Sequence, residues 1–169
     1  MHDLDPQFGE DNTLRVVVET PRGSRHKYAW NEDIRAFELR FTLPSGMTWP
    51  YDYGFIPGTK GEDGDPLDVL VLMDEPTFAG CVLRVRLLGA FNVEKNGKRN
   101  DRYLACLLPS QEASLSTDGY RTIEDLPEQL LGEMESFLTM YSVQKGNQVR
   151  VTGRTGASRS IAAVRSAAG

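Results

Sequence analysis

The 169 residues carry 40% hydrophobic and 25% charged side chains, the balance of a water-soluble chain long enough to bury one sizeable core. With 24 acidic against 19 basic residues the net charge is −5, and no run of Lys or Arg forms the stripe that tracks nucleic-acid phosphates, so no nucleic-acid partner is expected. No stretch approaches the ~20 apolar residues that cross a bilayer, so no membrane partner is expected either. Leu14 to Thr20 is β-branched and bounded by Pro21 and Gly23, which predicts a strand with Glu19 near its end. His26 to Trp30, Ala36 to Thr42, Leu67 to Leu72, Cys81 to Phe91 and Arg102 to Leu108 are further strand candidates, separated by Gly, Pro, Asn and Asp clusters. Asn96-Gly97 predicts a hairpin turn, because both residues accept the positive φ angles that a tight turn needs. After Thr122 the period changes. Leu126, Leu130, Leu131, Met134, Phe137, Leu138 and Tyr141 recur at spacings of three, four and seven, predicting an amphipathic helix over Ile123 to Tyr141 with Pro127 near its start. Gln148 to Gly153 reads as a returning strand and Arg159 to Ala168 as a short helix.

Several strands followed by helices, with no internal repeat, predict one α+β domain over residues 1–169 built on a barrel or strongly curled sheet. Cys81 and Cys106 sit among apolar neighbours, as small buried thiols do. Met1-His2-Asp3-Leu4-Asp5-Pro6 has neither a basic start nor an apolar segment, so the expected location is the cytoplasm.

Chemistry concentrates between Tyr51 and Leu72. Asp63, Asp65 and Asp68 lie in a Gly/Pro turn that runs directly into a hydrophobic strand. Carboxylate oxygens are hard ligands suited to Mg²⁺, which keeps several waters and is held by a few carboxylates plus substrate phosphates. The turn can converge the three carboxylates while the strand fixes their base. An acidic surface turn has the same composition, so the spacing alone does not decide between the two.

The whole run does more. Tyr53-Gly54-Phe55-Ile56-Pro57 followed by Asp63-Gly64-Asp65-Pro66-Leu67-Asp68-Val69-Leu70-Val71 closely resembles the signature segment of the family I inorganic pyrophosphatases, and a looser likeness runs from about Leu14 to the C-terminal helix. The resemblance implies a small closed five-stranded, OB-like β-barrel with α-helices packed outside, a homo-oligomer, commonly a hexamer, and hydrolysis of pyrophosphate to two phosphates by a Mg²⁺-activated water. It implies Asp63 and Asp68 as metal ligands, and Asp65 as the carboxylate that holds and deprotonates the attacking water. Lys27, Arg40, Tyr53 and Tyr141 are implied as phosphate contacts, with Glu19 at the edge of the same site. An acidic chain that binds a small polyanion needs such local cations, metal ions or both.

Other positions depart from the family. Ala29 stands for a metal-binding glutamate, Trp49 for a tyrosine, and Ser142 for a phosphate-contacting lysine. In the hairpin Val93 to Arg102, an ungapped reading puts Lys95 and Asn100 at two metal-ligand positions and Arg102 at a phosphate-binding lysine. A one-residue shift within the turn instead supplies Glu94 and Asp101, and is preferred for Asp101 because a hairpin tip can slide. Lys95, Lys98, Arg99 and Arg102 make this tip basic where the family is acidic. Besides a Mg²⁺-dependent diphosphatase, two alternatives stand: a catalytically impaired protein of this fold that binds a polyanion or nucleotide, and a hydrolase of another phosphoanhydride whose organic half stacks on Trp49.

Overall fold

The computed structural model describes residues 1–109 and 119–169. Nine strands and two helices are formed among the described residues: β1 (Thr13–Thr20), β2 (His26–Asn31), β3 (Ala36–Thr42), β4 (Asp52–Ile56), β5 (Leu67–Leu72), β6 (Val82–Lys95), β7 (Lys98–Arg99), β8 (Arg102–Leu107), α1 (Glu128–Gln144), β9 (Val149–Gly156) and α2 (Ala157–Ala167). β1 pairs antiparallel with β4 and β4 with β5; β5 runs parallel to β8, β8 antiparallel to β6, and β6 returns antiparallel to β1. The sheet therefore closes as a ring of five strands, the expected α+β barrel. β2 and β3 form a separate two-stranded hairpin.

Alternate residues of a strand face opposite sides of the sheet, and the apolar positions sort accordingly. One buried cluster takes residues from all five ring strands, among them Leu14, Ile56, Val71, Val85 and Ala105, and adds Ile161 and Val164 of α2. A second joins Tyr53, Leu70, Leu88 and Leu104 to Leu131, Met134, Phe137, Leu138 and Tyr141 of α1, so α1 covers the opposite face of the same strands.

β6 is the longest strand and does two jobs. Its register shifts between Leu87 and Gly89. At Gly89 a Cβ would meet the Thr155 carbonyl oxygen at 2.5 Å, so only glycine lets the two strands approach. Beyond this bend Gly89 to Lys95 pair with β9, and the strand runs four residues past its predicted end at Phe91. That extension carries Lys95 to the mouth of a cleft.

β4 was not legible as a strand, because Gly54 and Pro57 make its surroundings look like a turn. Gly54 is there for clearance: a Cβ would lie 1.9 Å from the Val17 carbonyl oxygen of β1. The predicted helix over Ile123 to Tyr141 divides into a 3-10 turn at Ile123–Asp125 and α1, with Pro127 as the cap between them. β9 runs three residues beyond its expected end, and α2 starts two residues earlier than predicted.

Candidate active site

The segment between β4 and β5 is held by its own backbone. Gly61 N–H donates to the Asp65 carbonyl at 2.7 Å, Gly64 N–H to the Gly61 carbonyl at 3.1 Å, and Asp65 N–H to Asp63 Oδ1 at 3.2 Å. Gly64 takes φ +91°, a left-handed angle suited to glycine. Lys60 N–H reaches the Ala167 carbonyl of α2 at 2.9 Å, tying the turn to the body of the chain.

Asp63, Asp65 and Asp68 all open onto one cleft, whose walls also carry Glu19, Lys27, Arg40, Tyr53, Arg102 and Tyr141. Burial first, then the neighbouring carboxylates of Asp63 and Asp68, raise the Asp65 carboxyl above its ordinary range; His2 and Lys95 partly offset them. Arg102 is buried and donates to Asp68 Oδ2 at 2.7 Å and to the Asn100 carbonyl at 3.0 Å. Burial works against its charge, but Asp68 leads a group of negative neighbours that hold the guanidinium above its usual value. Tyr53, 1% exposed, has its phenol pushed up by burial and lies within hydrogen-bond reach of Asp68. Burial likewise raises the Tyr141 phenol.

Lys27 and Glu19 form a buried pair at 2.9 Å. Glu19 also accepts the Trp30 N–H at 2.9 Å, and the Lys27 ammonium sits 4.1 Å from the centre of the Tyr53 ring. Glu19 thus serves the cleft by fixing a cation. Arg40, half exposed, pairs with Glu38 at 3.1 Å.

The hairpin follows the ungapped register. β6 and β7 close through Asn96-Gly97, with Lys95 opposite Lys98, which leaves no residue to slide. Side chains alternate across a strand, so Lys95 on the cleft puts Glu94 on the other side. Glu94 forms an ion pair with Arg150 there. Asn100 and Arg102 face the cleft, while the Asp101 carboxylate turns away to accept Val93 N–H at 3.1 Å and Arg99 Nε at 2.7 Å. The expectation that Glu94 and Asp101 join the three aspartates is therefore corrected: Glu94 lies off their cleft, and Asp101 lines an adjoining pocket with Asp63 and Asp68 instead.

Of Ala29, Trp49 and Ser142, only Ala29 faces the cleft. Trp49 is fully buried, 4.8 Å from Tyr53 and 5.0 Å from Tyr141 between ring centres, so it cannot stack on a ligand. Ser142 is buried off the cleft, and Lys145, just past α1, reaches the cleft instead.

Lys145 and His2 were missed in the sequence. His2 is brought in by a chain segment remote from the aspartates: its carbonyl accepts Gly58 N–H at 2.6 Å, its Nδ1 lies 3.2 Å from Glu32, and its ring packs 4.8 Å from that of Phe55. Only the folded geometry reveals that, since no spacing signal links residue 2 to this turn.

Three hard carboxylates on one cleft wall, crowded enough to disturb one another, fit a divalent cation such as Mg²⁺. Among the described residues no three His, Cys, Asp or Glu side chains are gathered closely enough to hold an ion by themselves, so waters or a ligand's oxygens must complete the shell. Cys81 and Cys106 are unbridged; Cys106 is buried as expected and Cys81 only half so. No helix among the described residues is long and apolar enough to cross a membrane.

Comparison with known proteins gives a consistent result. The family model described as inorganic pyrophosphatase matches residues 16–169. The inorganic pyrophosphatase of Synechocystis sp. is 38% identical over 128 residues, covering 76% of this chain and 73% of that protein. Soluble inorganic pyrophosphatase 1 of Arabidopsis thaliana is 35% identical over 150 residues, covering 89% of this chain and 69% of that one. The crystal structure of the Thermus thermophilus inorganic pyrophosphatase superposes with a TM-score of 0.88 at 32% identity, covering 99% of this chain and 95% of that one.

Proposed function

Because the chain belongs to the inorganic pyrophosphatase family, and is an enzyme that hydrolyses pyrophosphate to two phosphates, we propose that Asp65 is the base of that reaction and that Mg²⁺ is its metal. The observation that carries this reading is the crowding of the Asp65 carboxyl by Asp63 and Asp68, on a cleft that also carries Lys27, Arg40, Lys95, Arg102 and Lys145. A carboxyl raised by burial and by its carboxylate neighbours is a better proton acceptor than an ordinary aspartate.

Asp63, Asp65 and Asp68 would hold the Mg²⁺. Bound there, the cation would neutralise phosphate charge and make a water more acidic. Lys27, Arg40, Arg102 and Tyr141 bind the phosphate oxygens, and Tyr53, in reach of Asp68, positions that carboxylate. Asp65 takes a proton from the water as its oxygen bonds to one phosphorus. The bond from that phosphorus to the bridging oxygen breaks, and the proton ends on the leaving phosphate. One water and one pyrophosphate are consumed for two phosphates formed. Positioning and charge neutralisation carry most of the acceleration, as in phosphoryl transfer generally.

In this reading residues 1–169 act as one pyrophosphatase domain in the cytoplasm, where two unbridged thiols are at home. The protein works as a homo-oligomer, with exposed Phe78, Met140 and Val143 as apolar surface available to neighbouring copies. Burial of Trp49 speaks against a larger phosphoanhydride with a stacked organic half. The test is phosphate release from pyrophosphate by protein freed of divalent ions with a chelator, then resupplied with Mg²⁺. Turnover that vanishes and returns supports the assignment; turnover that persists under chelation contradicts it.

A further inference from the structure

The cleft holds more positive charge than its own carboxylates answer. Lys27 is paired with Glu19 at 2.9 Å, Arg102 with Asp68 at 2.7 Å and Arg40 with Glu38 at 3.1 Å. Two ammonium groups on the same walls, Lys95 at the end of β6 and Lys145 just beyond α1, have no carboxylate partner among the described residues. The Lys145 Nζ lies instead 4.3 Å from the centre of the Phe41 ring. An aromatic face can hold a cation in place without neutralising it.

Burial lowers the Lys145 ammonium below its ordinary value, and the charges of Lys95, Lys27, Arg40 and Arg102 lower it further. The two lysines line the same cleft as the three aspartates, Lys27, Arg40 and Arg102, and the charge of Lys95 is felt at Lys145. In a chain of net charge −5 this concentration of positive charge is local, and it is relieved by an anion entering between them.

We propose that Lys95 and Lys145 form a subsite that holds one phosphate group of pyrophosphate without a metal ion, so that ammonium charge replaces divalent charge at that end of the substrate. This rests on the cleft being the pyrophosphate site. Three donors on each compact ammonium suit the tetrahedral oxygens of a terminal phosphate, and their flexible stems allow both to close on it. The polyanion then docks in the absence of Mg²⁺, and the three aspartates complete the loaded site afterwards.

The test uses the full chain and methylenediphosphonate, which has the shape and charge of pyrophosphate but no hydrolysable bridge. Binding is measured by titration calorimetry in chelator for wild type, Lys95→Met, Lys145→Met, the double variant and Lys98→Met, an exposed lysine on the same hairpin. Phosphate release with Mg²⁺ is followed for the wild type alongside. Wild type binds without metal, each single variant weakens binding at least about five-fold, the double variant weakens it further, and Lys98→Met leaves it unchanged. A wild type that hydrolyses pyrophosphate with Mg²⁺ but fails to bind in chelator overturns the subsite and leaves the reaction standing. Double-variant binding equal to wild type also overturns it. Lysine-dependent binding in chelator without hydrolysis sustains the subsite and removes the reaction assigned to the cleft.

Discussion

Asn100 donates from Nδ2 to Oδ2 of Asp63 across 2.7 Å, bridging the β7–β8 connection and the acidic turn. A carboxylate oxygen cannot donate, so the amide nitrogen must face Asp63. An amide thus occupies a place where a carboxylate would help gather cations. Asn100→Asp sets two carboxylates against each other. Without metal it should cost about 1 kcal/mol of stability, and Mg²⁺ affinity in the absence of pyrophosphate should rise at least about three-fold. Denaturant unfolding and Mg²⁺ titration measure both, and unchanged Mg²⁺ affinity would show that Asn100 does not border a cation site.

The Lys27–Glu19 pair is buried on both sides, with Lys27 8% and Glu19 7% exposed. Lys27→Met leaves the Glu19 carboxylate with the Trp30 N–H and no cation. That should destabilise the protein by about 3–5 kcal/mol, and Glu19→Gln, which keeps one acceptor oxygen but turns an NH2 toward either the Lys27 ammonium or the Trp30 N–H, should cost a comparable amount. Urea unfolding of the two variants provides the comparison. A Lys27→Met protein as stable as wild type would mean that water reaches Glu19.

Arg154 ties β9 to α1, reaching Glu135 at 2.7 Å and both carboxylate oxygens of Glu128 at 2.7 and 2.8 Å. Its hydrogen bonds hold the Glu128 carboxyl below the ordinary glutamate range. A carboxyl lowered in the folded state binds its proton more weakly there than in the unfolded chain. The pair's contribution is therefore full above the ordinary glutamate value and disappears as pH falls through the lowered one. Because Glu128 is exposed, the effect is small and weakens with salt. Arg154→Met should lower the melting temperature slightly at pH 7, and the difference from wild type should close near pH 3. A difference that persists at pH 3 would point to lost packing of the arginine stem.

The chain has two tryptophans, and only Trp30 borders the cleft. Methylenediphosphonate should change the fluorescence of wild type and Trp49→Phe but not of Trp30→Phe, since Trp49 lies behind Tyr53. A ligand response that followed Trp49 would reopen the stacked-ligand reading.

The parts of the molecule that sequence made legible share one property: their signal is local. The β-branched run at Leu14 to Thr20, the spacing of Leu131, Met134, Leu138 and Tyr141, and the Asp63-Gly64-Asp65-Pro66-Leu67-Asp68 turn each carry their structure within a few residues. β4 was hidden because Gly54 answers to the Val17 carbonyl of another strand. Glu94 and Asp101 have the right chemistry in the wrong phase, because period-two alternation around a rigid two-residue turn decides which side they face. Lys145 and His2 escaped notice for a related reason, since what makes each part of the cleft is contact across the fold. Trp49 looked available for stacking, although α1 and Tyr53 enclose it.

The most direct measurement is phosphate release from pyrophosphate with Mg²⁺ by Asp65→Asn and Asp101→Asn beside wild type. Asp65→Asn, which keeps the shape but not the base, should lower kcat at least about a hundred-fold. Asp101→Asn, whose carboxylate is turned away from the cleft and can still accept the Val93 N–H, should stay within about three-fold of wild type. Full activity in Asp65→Asn, or a collapse of turnover in a folded Asp101→Asn, would contradict this assignment of the site.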